Sequence, residues 1–209
     1  MTEILNLILG TVLLRPYVFV FFTVYFTIGF INMGWFRTLC FTVLAYGIAF
    51  LSEYSSTRNG FPYGFYSYID TTRNKELWIT NVPFMDSISY SFLSYISLTM
   101  SVFFWSNLTG KGRDLQILED KELFRSWRVI LTGAFLFMLM DVIIDPVAFR
   151  GDRWFLGKIY KYQEEGEYFN IPLTNFAGWF LVGVAILFCF TRLENFLDKV
   201  LKRPKNRST

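Results

Sequence analysis

Val129-Ile-Leu-Thr-Gly-Ala-Phe-Leu-Phe-Met-Leu-Met-Asp141-Val-Ile-Ile-Asp145-Pro146-Val-Ala-Phe149 is an apolar run long enough to cross a bilayer, with two carboxylates near its end. Residues four apart share one face of a helix, so Asp141 and Asp145 point at the same spot. Asp145 alone reads as a turn cap, because the residue before a proline is pushed out of the helical region. Asp141 resists that reading, since a helix reaching Phe149 would hold it roughly eight residues, about 12 Å, from the end. Ionisable groups at such depth are costly and face the protein interior, so the pair is a functional-site candidate.

The rest of the chain is of the same kind. Its 209 residues are 53% hydrophobic and 21% aromatic, with mean hydropathy +0.36, well beyond an ordinary soluble domain. The length suits one all-α polytopic bundle, with no separate soluble domain. The formal charge of +3 is carried by loops and tail, which fits topology control and not a nucleic-acid surface. The chain has no histidine, which excludes His-ligated metal sites and His general bases. Cys40 and Cys189 lie in apolar runs and read as small hydrophobes.

Five full spans are predicted: Tyr17 to Phe36, Thr38 to Tyr54, Val82 to Trp105, the run from Val129, and Ile171 to Thr191. Before them, Ile4 to Leu14 is too short to span, ends at Arg15-Pro16, and reads as an interfacial or re-entrant helix. It lacks a basic leader and a small-residue cleavage site, so it reads as retained. The domain reading is therefore one transmembrane unit over 1–209, with a short apolar segment to residue 15, a bundle over 16–191 and a basic, fraying tail over 192–209. Arg37 marks a tight hairpin between the first two spans. Lys and Arg are more numerous on the side holding Arg37, the Asn107 to Arg128 connector and the tail, which puts the tail in the cytoplasm and the bundle in the inner membrane.

The unusual polar features then share the other side. Glu53 ends the second span and has Arg58 five residues on as a pairing candidate. In the third span, Asp86, Ser87, Tyr90, Ser91, Ser94 and Tyr95 form a polar stripe that must face other helices or a cavity. Gly60, Pro62 and Gly64 fold the first loop, and its aromatics Phe61, Tyr63, Phe65, Tyr66 and Tyr68 read first as an interfacial belt. A second aromatic loop carries Trp154, Tyr160, Tyr162 and Tyr168.

Four blocks resemble one family. Tyr46-Gly-Ile-Ala-Phe-Leu-Ser-Glu53, Gly60-Phe-Pro-Tyr-Gly-Phe-Tyr66, Asp141-Val-Ile-Ile-Asp-Pro146 and Tyr168-Phe-Asn-Ile-Pro-Leu-Thr-Asn-Phe-Ala-Gly-Trp179 are similar, in this order, to the signature blocks of the integral-membrane carotenoid biosynthesis family. That family includes bacterial and archaeal acyclic-carotenoid hydratases acting on end groups of gamma-carotene and bisanhydrobacterioruberin type. The resemblance implies a carotenoid or other isoprenoid lipid substrate drawn from the bilayer, and addition of water across its terminal C1,C2 double bond. It implies no cofactor and no metal.

Protonation at C2 leaves a tertiary cation at C1 that water attacks. A desolvated carboxyl suits the proton donor, and an ionised one suits the partner that steadies the cation and orients water. The candidate catalytic residues are Asp141 as donor and Asp145 or Glu53 as partner. The candidate substrate-binding residues are Arg58, Phe61, Tyr63, Tyr66, Trp154, Tyr168, Asn175 and Trp179, with Asn175 and Tyr63 for water and Arg58 for pairing with a carboxylate. An end-group cyclase would need the same acid, a prenyl-diphosphate enzyme would use the aspartates for Mg²⁺, and a transporter or assembly partner would need no chemistry.

Overall fold

The structure is a computed structural model, described here for residues 2–110, 116–118, 120–149 and 158–200. Seven α-helices account for most of it: α1 (Thr2–Leu14), α2 (Pro16–Met33), α3 (Trp35–Asn59), α4 (Phe84–Trp105), α5 (Lys121–Phe124), α6 (Trp127–Ala148) and α7 (Leu173–Val200). Five of them, α2, α3, α4, α6 and α7, are long and apolar enough to cross a membrane, and α1 is not. A helix satisfies its own backbone, which is the condition for crossing lipid. The short strands β1 (Tyr66–Tyr68), β2 (Trp78–Ile79), β3 (Val82–Pro83), β4 (Leu108–Thr109), β5 (Gln116–Ile117) and β6 (Tyr160–Tyr162) make three two-stranded antiparallel pairings outside the spans: β1 with β6, β2 with β3, and β4 with β5.

α4 is the hub, packing against α2, α3, α6 and α7. Its stripe of Ser87, Ser91, Ser94, Ser97 and Ser101 is buried. Small side chains let helix backbones approach where lipid offers no hydrophobic drive to associate. Most of these hydroxyls bond back to their own helix, as Ser94 does to the Tyr90 carbonyl at 2.5 Å, while Ser101 reaches across to the Val129 carbonyl at 2.7 Å. Phe41, Leu98, Ile130, Phe137, Ile186, Leu187 and Phe190 fill the core beside the stripe. Outward, Val20, Phe21, Val24, Leu51, Phe103, Phe135, Ile143 and Leu181 stay exposed, an apolar surface suited to lipid.

Three boundaries differ from the hydrophobic pattern. The first hairpin turns at Gly34, whose φ of 82° suits a residue without a Cβ, and not at Arg37. Arg37 lies in the first turn of α3, buried, and bonds Glu194 and Asp198 of α7, the latter at 2.7 Å. Correspondingly, α7 does not fray at Arg192 but continues to Val200, its last two turns held by that pairing and by Lys121 and Arg125 on Asp198. α3 likewise runs past Tyr54 to Asn59. At the ends of α3 and α7 polar residues ended the hydropathy signal before the helix ended, and at the hairpin the apolar run continued past Met33 into α3.

α1 is tied to the first loop. Thr11 Oγ1 accepts from the Leu77 amide at 2.7 Å, and Arg15, at the α1 to α2 junction, bonds Glu76 through Nε at 2.6 Å and Nη2 at 2.8 Å. Both charged groups are buried. Burial works against the Arg15 charge, but the Glu76 contact and the nearby Asp86 charge together outweigh it and hold the guanidinium more firmly protonated than a free arginine.

Candidate active site

Asp141 and Asp145 follow one another on the inner face of α6, 3% and 6% exposed. Asn175, in the first turn of α7 and 2% exposed, places its amide between them, donating to Asp141 Oδ2 at 2.7 Å and Asp145 Oδ2 at 3.1 Å. Both amide hydrogens are thereby used, so Asn175 clamps the two aspartates. The Tyr160 hydroxyl also interacts with Asp145. Pro146, just after the pair, lies inside the helix without ending it.

The pair lines a cavity of about 460 Å³. Tyr63, Tyr90 and Trp179 form one wall, with Tyr90 stacked on Trp179 at 4.5 Å between ring centroids and Tyr63 tilted against it at 6.1 Å. α7 approaches that wall closely enough that a Cβ on Gly178 would lie 2.6 Å from the Pro62 carbonyl oxygen. The roof is the β1 and β6 ribbon, in which Tyr66 faces Tyr162 and Tyr68 faces Tyr160. Residues two apart on a strand share a face, so the four rings project together into the cavity. Burial first, and after it the neighbouring Glu53, Asp86 or Asp145 charge, pushes these four hydroxyls well above the usual tyrosine range, so they remain donors. Phe21 of α2 and Ile96 of α4, about half exposed, sit at the cavity's margin with Leu93 and Ile144, which gives it an apolar mouth on the lipid-facing surface.

Glu53 and Asp86 line the same cavity from α3 and α4. Glu53, 2% exposed, accepts a hydrogen bond from the Ser87 hydroxyl. Arg58 does not pair with it; that side chain is exposed, lies 3.4 Å over the Tyr54 ring and bonds Asn81 Oδ1 at 2.8 Å. Phe61 is 65% exposed and outside the cavity. Tyr168, half-buried, packs on Phe169 and Phe176, also away from it. Trp154 lies outside the described residues. The structure thus gathers Asp141, Asp145, Glu53, Tyr63, Tyr66, Asn175 and Trp179, and leaves Arg58, Phe61 and Tyr168 apart. Of the first loop's aromatics, only Phe61 and Phe65 are exposed as an interfacial belt would be.

Residues that the sequence patterns did not single out as site residues complete the lining: Arg15, Tyr17, Tyr68, Asp86, Tyr90, Tyr160 and Tyr162. For Asp86 the signal was weak, since it lies in the first turn of α4, where an acidic residue suits the helix dipole. For the ribbon it lay in the alternation of Tyr66-Ser-Tyr68 and Tyr160-Lys-Tyr162, too short to read without the pairing partner.

The family model described as "Carotenoid biosynthesis protein" matches residues 3–207. The chain belongs to this carotenoid biosynthesis family. No curated protein and no solved structure matches the chain. Membership in the carotenoid biosynthesis family accords with an apolar cavity opening on the bilayer face, because carotenoids are dissolved in lipid. A role in carotenoid biosynthesis follows from the family, and the fold is the all-α bundle of apolar spans that the hydropathy pattern implies.

Proposed function

We propose that the protein hydrates the terminal C1,C2 double bond of an acyclic carotenoid end group to a tertiary alcohol. One observation carries this reading: two buried carboxylates clamped by a single neutral amide at the wall of a lipid-facing cavity. Carboxylates held this close favour sharing one proton, and a shared proton in a low-dielectric site is a competent general acid. Asp141 is the donor, delivering its proton to C2, and Asp145 remains as the carboxylate that steadies the developing cation at C1. The stacked faces of Tyr90 and Trp179 add cation–π stabilisation. Water then attacks C1 and loses a proton, which restores the acid pair over the cycle. The long polyene stays in the bilayer and only the end group enters past Phe21 and Ile96.

The tail-side excess of Lys and Arg supports an inner-membrane orientation with the C-terminus in the cytoplasm and the cavity near the opposite leaflet. Pigment analysis after co-expression with an acyclic-carotenoid pathway tests the reaction. Hydration adds the mass of water to the carotene, and Asp141→Asn abolishes that product. An isomer of unchanged mass would instead identify an end-group cyclase, and unaltered carotene would exclude both reactions.

A further inference from the structure

Hydration as proposed uses Asp141 and Asp145, yet the cavity holds a second acidic centre that this chemistry leaves idle. Glu53 and Asp86 stand on neighbouring helices and meet through Tyr68, whose hydroxyl interacts with both. Ser87 donates to Glu53, and the Tyr90 hydroxyl also reaches it. The surroundings of the two centres differ. Around Asp141 and Asp145 the contacts are Asn175 and Tyr160, both neutral. Around Asp86 stand Tyr17, Tyr68, Glu53, Glu76 and the Arg15 guanidinium, the one cation among the described residues lining the cavity. Arg15 is bound to Glu76 through Nε and Nη2 and attracts Asp86 electrostatically.

A cation beside a carboxylate favours its ionised form, and so, more weakly, does an amide N–H donated to it; in the cavity only the α3 and α4 centre has a cation beside it. The cavity therefore presents two separate carboxylate pairs, one on α6 and one on α3 and α4. An addition of water needs both: a proton given to one carbon and a proton taken from the water that attacks the other.

We infer that Asp86, with Glu53 as its partner, holds the attacking water and accepts its proton. This assignment rests on the hydration reading. The balance is complete: the Asp141 proton forms the new C–H bond at C2, the water oxygen forms the C–O bond at C1, and the second water proton passes to the Asp86 carboxylate. Water is the only co-reactant, and the proton returns from this centre to Asp141 between turnovers. Tyr63 and Tyr66, which line the cavity with both centres, remain protonated hydroxyls and are not themselves bases.

The test separates protonation from water capture by running full-length protein in native membranes in deuterated water. Wild type yields an alcohol deuterated at C2. Asp86→Asn lowers alcohol by about 100-fold or more, while carotene recovered from the incubation, or its double-bond isomer, still gains deuterium because the cation forms and collapses by proton loss. Asp141→Asn shows neither. Alcohol from Asp86→Asn within about threefold of wild type, or joint loss of alcohol and deuterium uptake in a variant that melts like wild type, overturns the inference. If Asp86→Asn does not assemble, Glu53→Gln takes its place: lost alcohol with retained deuterium uptake supports the inference, and either of the other two outcomes overturns it. Failure of wild type to form any alcohol counts against hydration itself, a result distinct from either.

Discussion

Charged side chains gather at both ends of the helix bundle, and the two gatherings are built differently. At the end where α2 turns into α3 and where α7 finishes, Arg37 bonds Glu194 and Asp198, and Asp198 also takes Lys121 and Arg125. Acid and base alternate there, and the cluster joins α3, α5 and α7. At the other end Glu53, Asp86, Asp141 and Asp145 share a cavity with one guanidinium that is itself bound to Glu76. Matched charge gives a fastening between helices, whereas unmatched charge leaves carboxylates that can hold and pass protons. The contrast separates a cluster to probe for chemistry from one to probe for stability.

Changing the unmatched end has the largest effect. Asp141→Asn keeps the shape and the Asn175 contact region but removes the acid, so product formation in membranes falls by about 10²- to 10⁴-fold. At the matched end, Arg37→Met removes the cation that Glu194 and Asp198 share, while Asp198 keeps Lys121 and Arg125. Thermal or denaturant unfolding of the purified variant should show a loss of about 1.5–3 kcal/mol, with conversion per folded molecule unchanged. A comparable fall in specific conversion would erase the distinction between the ends.

Smaller changes sharpen it. Asn175→Ala frees the two aspartates from their clamp and lowers conversion roughly 10- to 100-fold, the worth of a hydrogen bond to a charged group. Tyr160→Phe removes one hydroxyl from Asp145 and costs about fivefold, measured as initial rate of alcohol formation. Arg58→Ala, off the cavity and exposed, stays within about twofold.

How much of this the sequence discloses follows from what each signal depends on. Spans are local, so composition and run length place α2, α3, α4, α6 and α7 without reference to one another. Their ends are not local. Arg37 looks like a loop residue in the sequence because its partners Glu194 and Asp198 lie far along the chain, at separations of 157 and 161. Asp141 and Asp145 are visible because helical spacing alone aligns them. Asp86 is less legible, because it stands in the first turn of α4, where an acid suits the helix dipole, and it is absorbed into a stripe of serines that explains itself by packing. The tyrosine roof is hidden from any single stretch, since β1 and β6 acquire a common face only when paired. The same dependence misplaces Arg58 and Phe61, whose positions beside or within a family block say nothing of which way the loop turns them.

Addition of water to the substrate inside this cavity is measured most directly by mass analysis of the pigments that the wild-type protein forms in heavy-oxygen water. Hydration predicts an acyclic carotenoid heavier by one molecule of heavy water, with the label in a tertiary hydroxyl at C1. An unlabelled hydroxyl, or a product with no added mass, would contradict it.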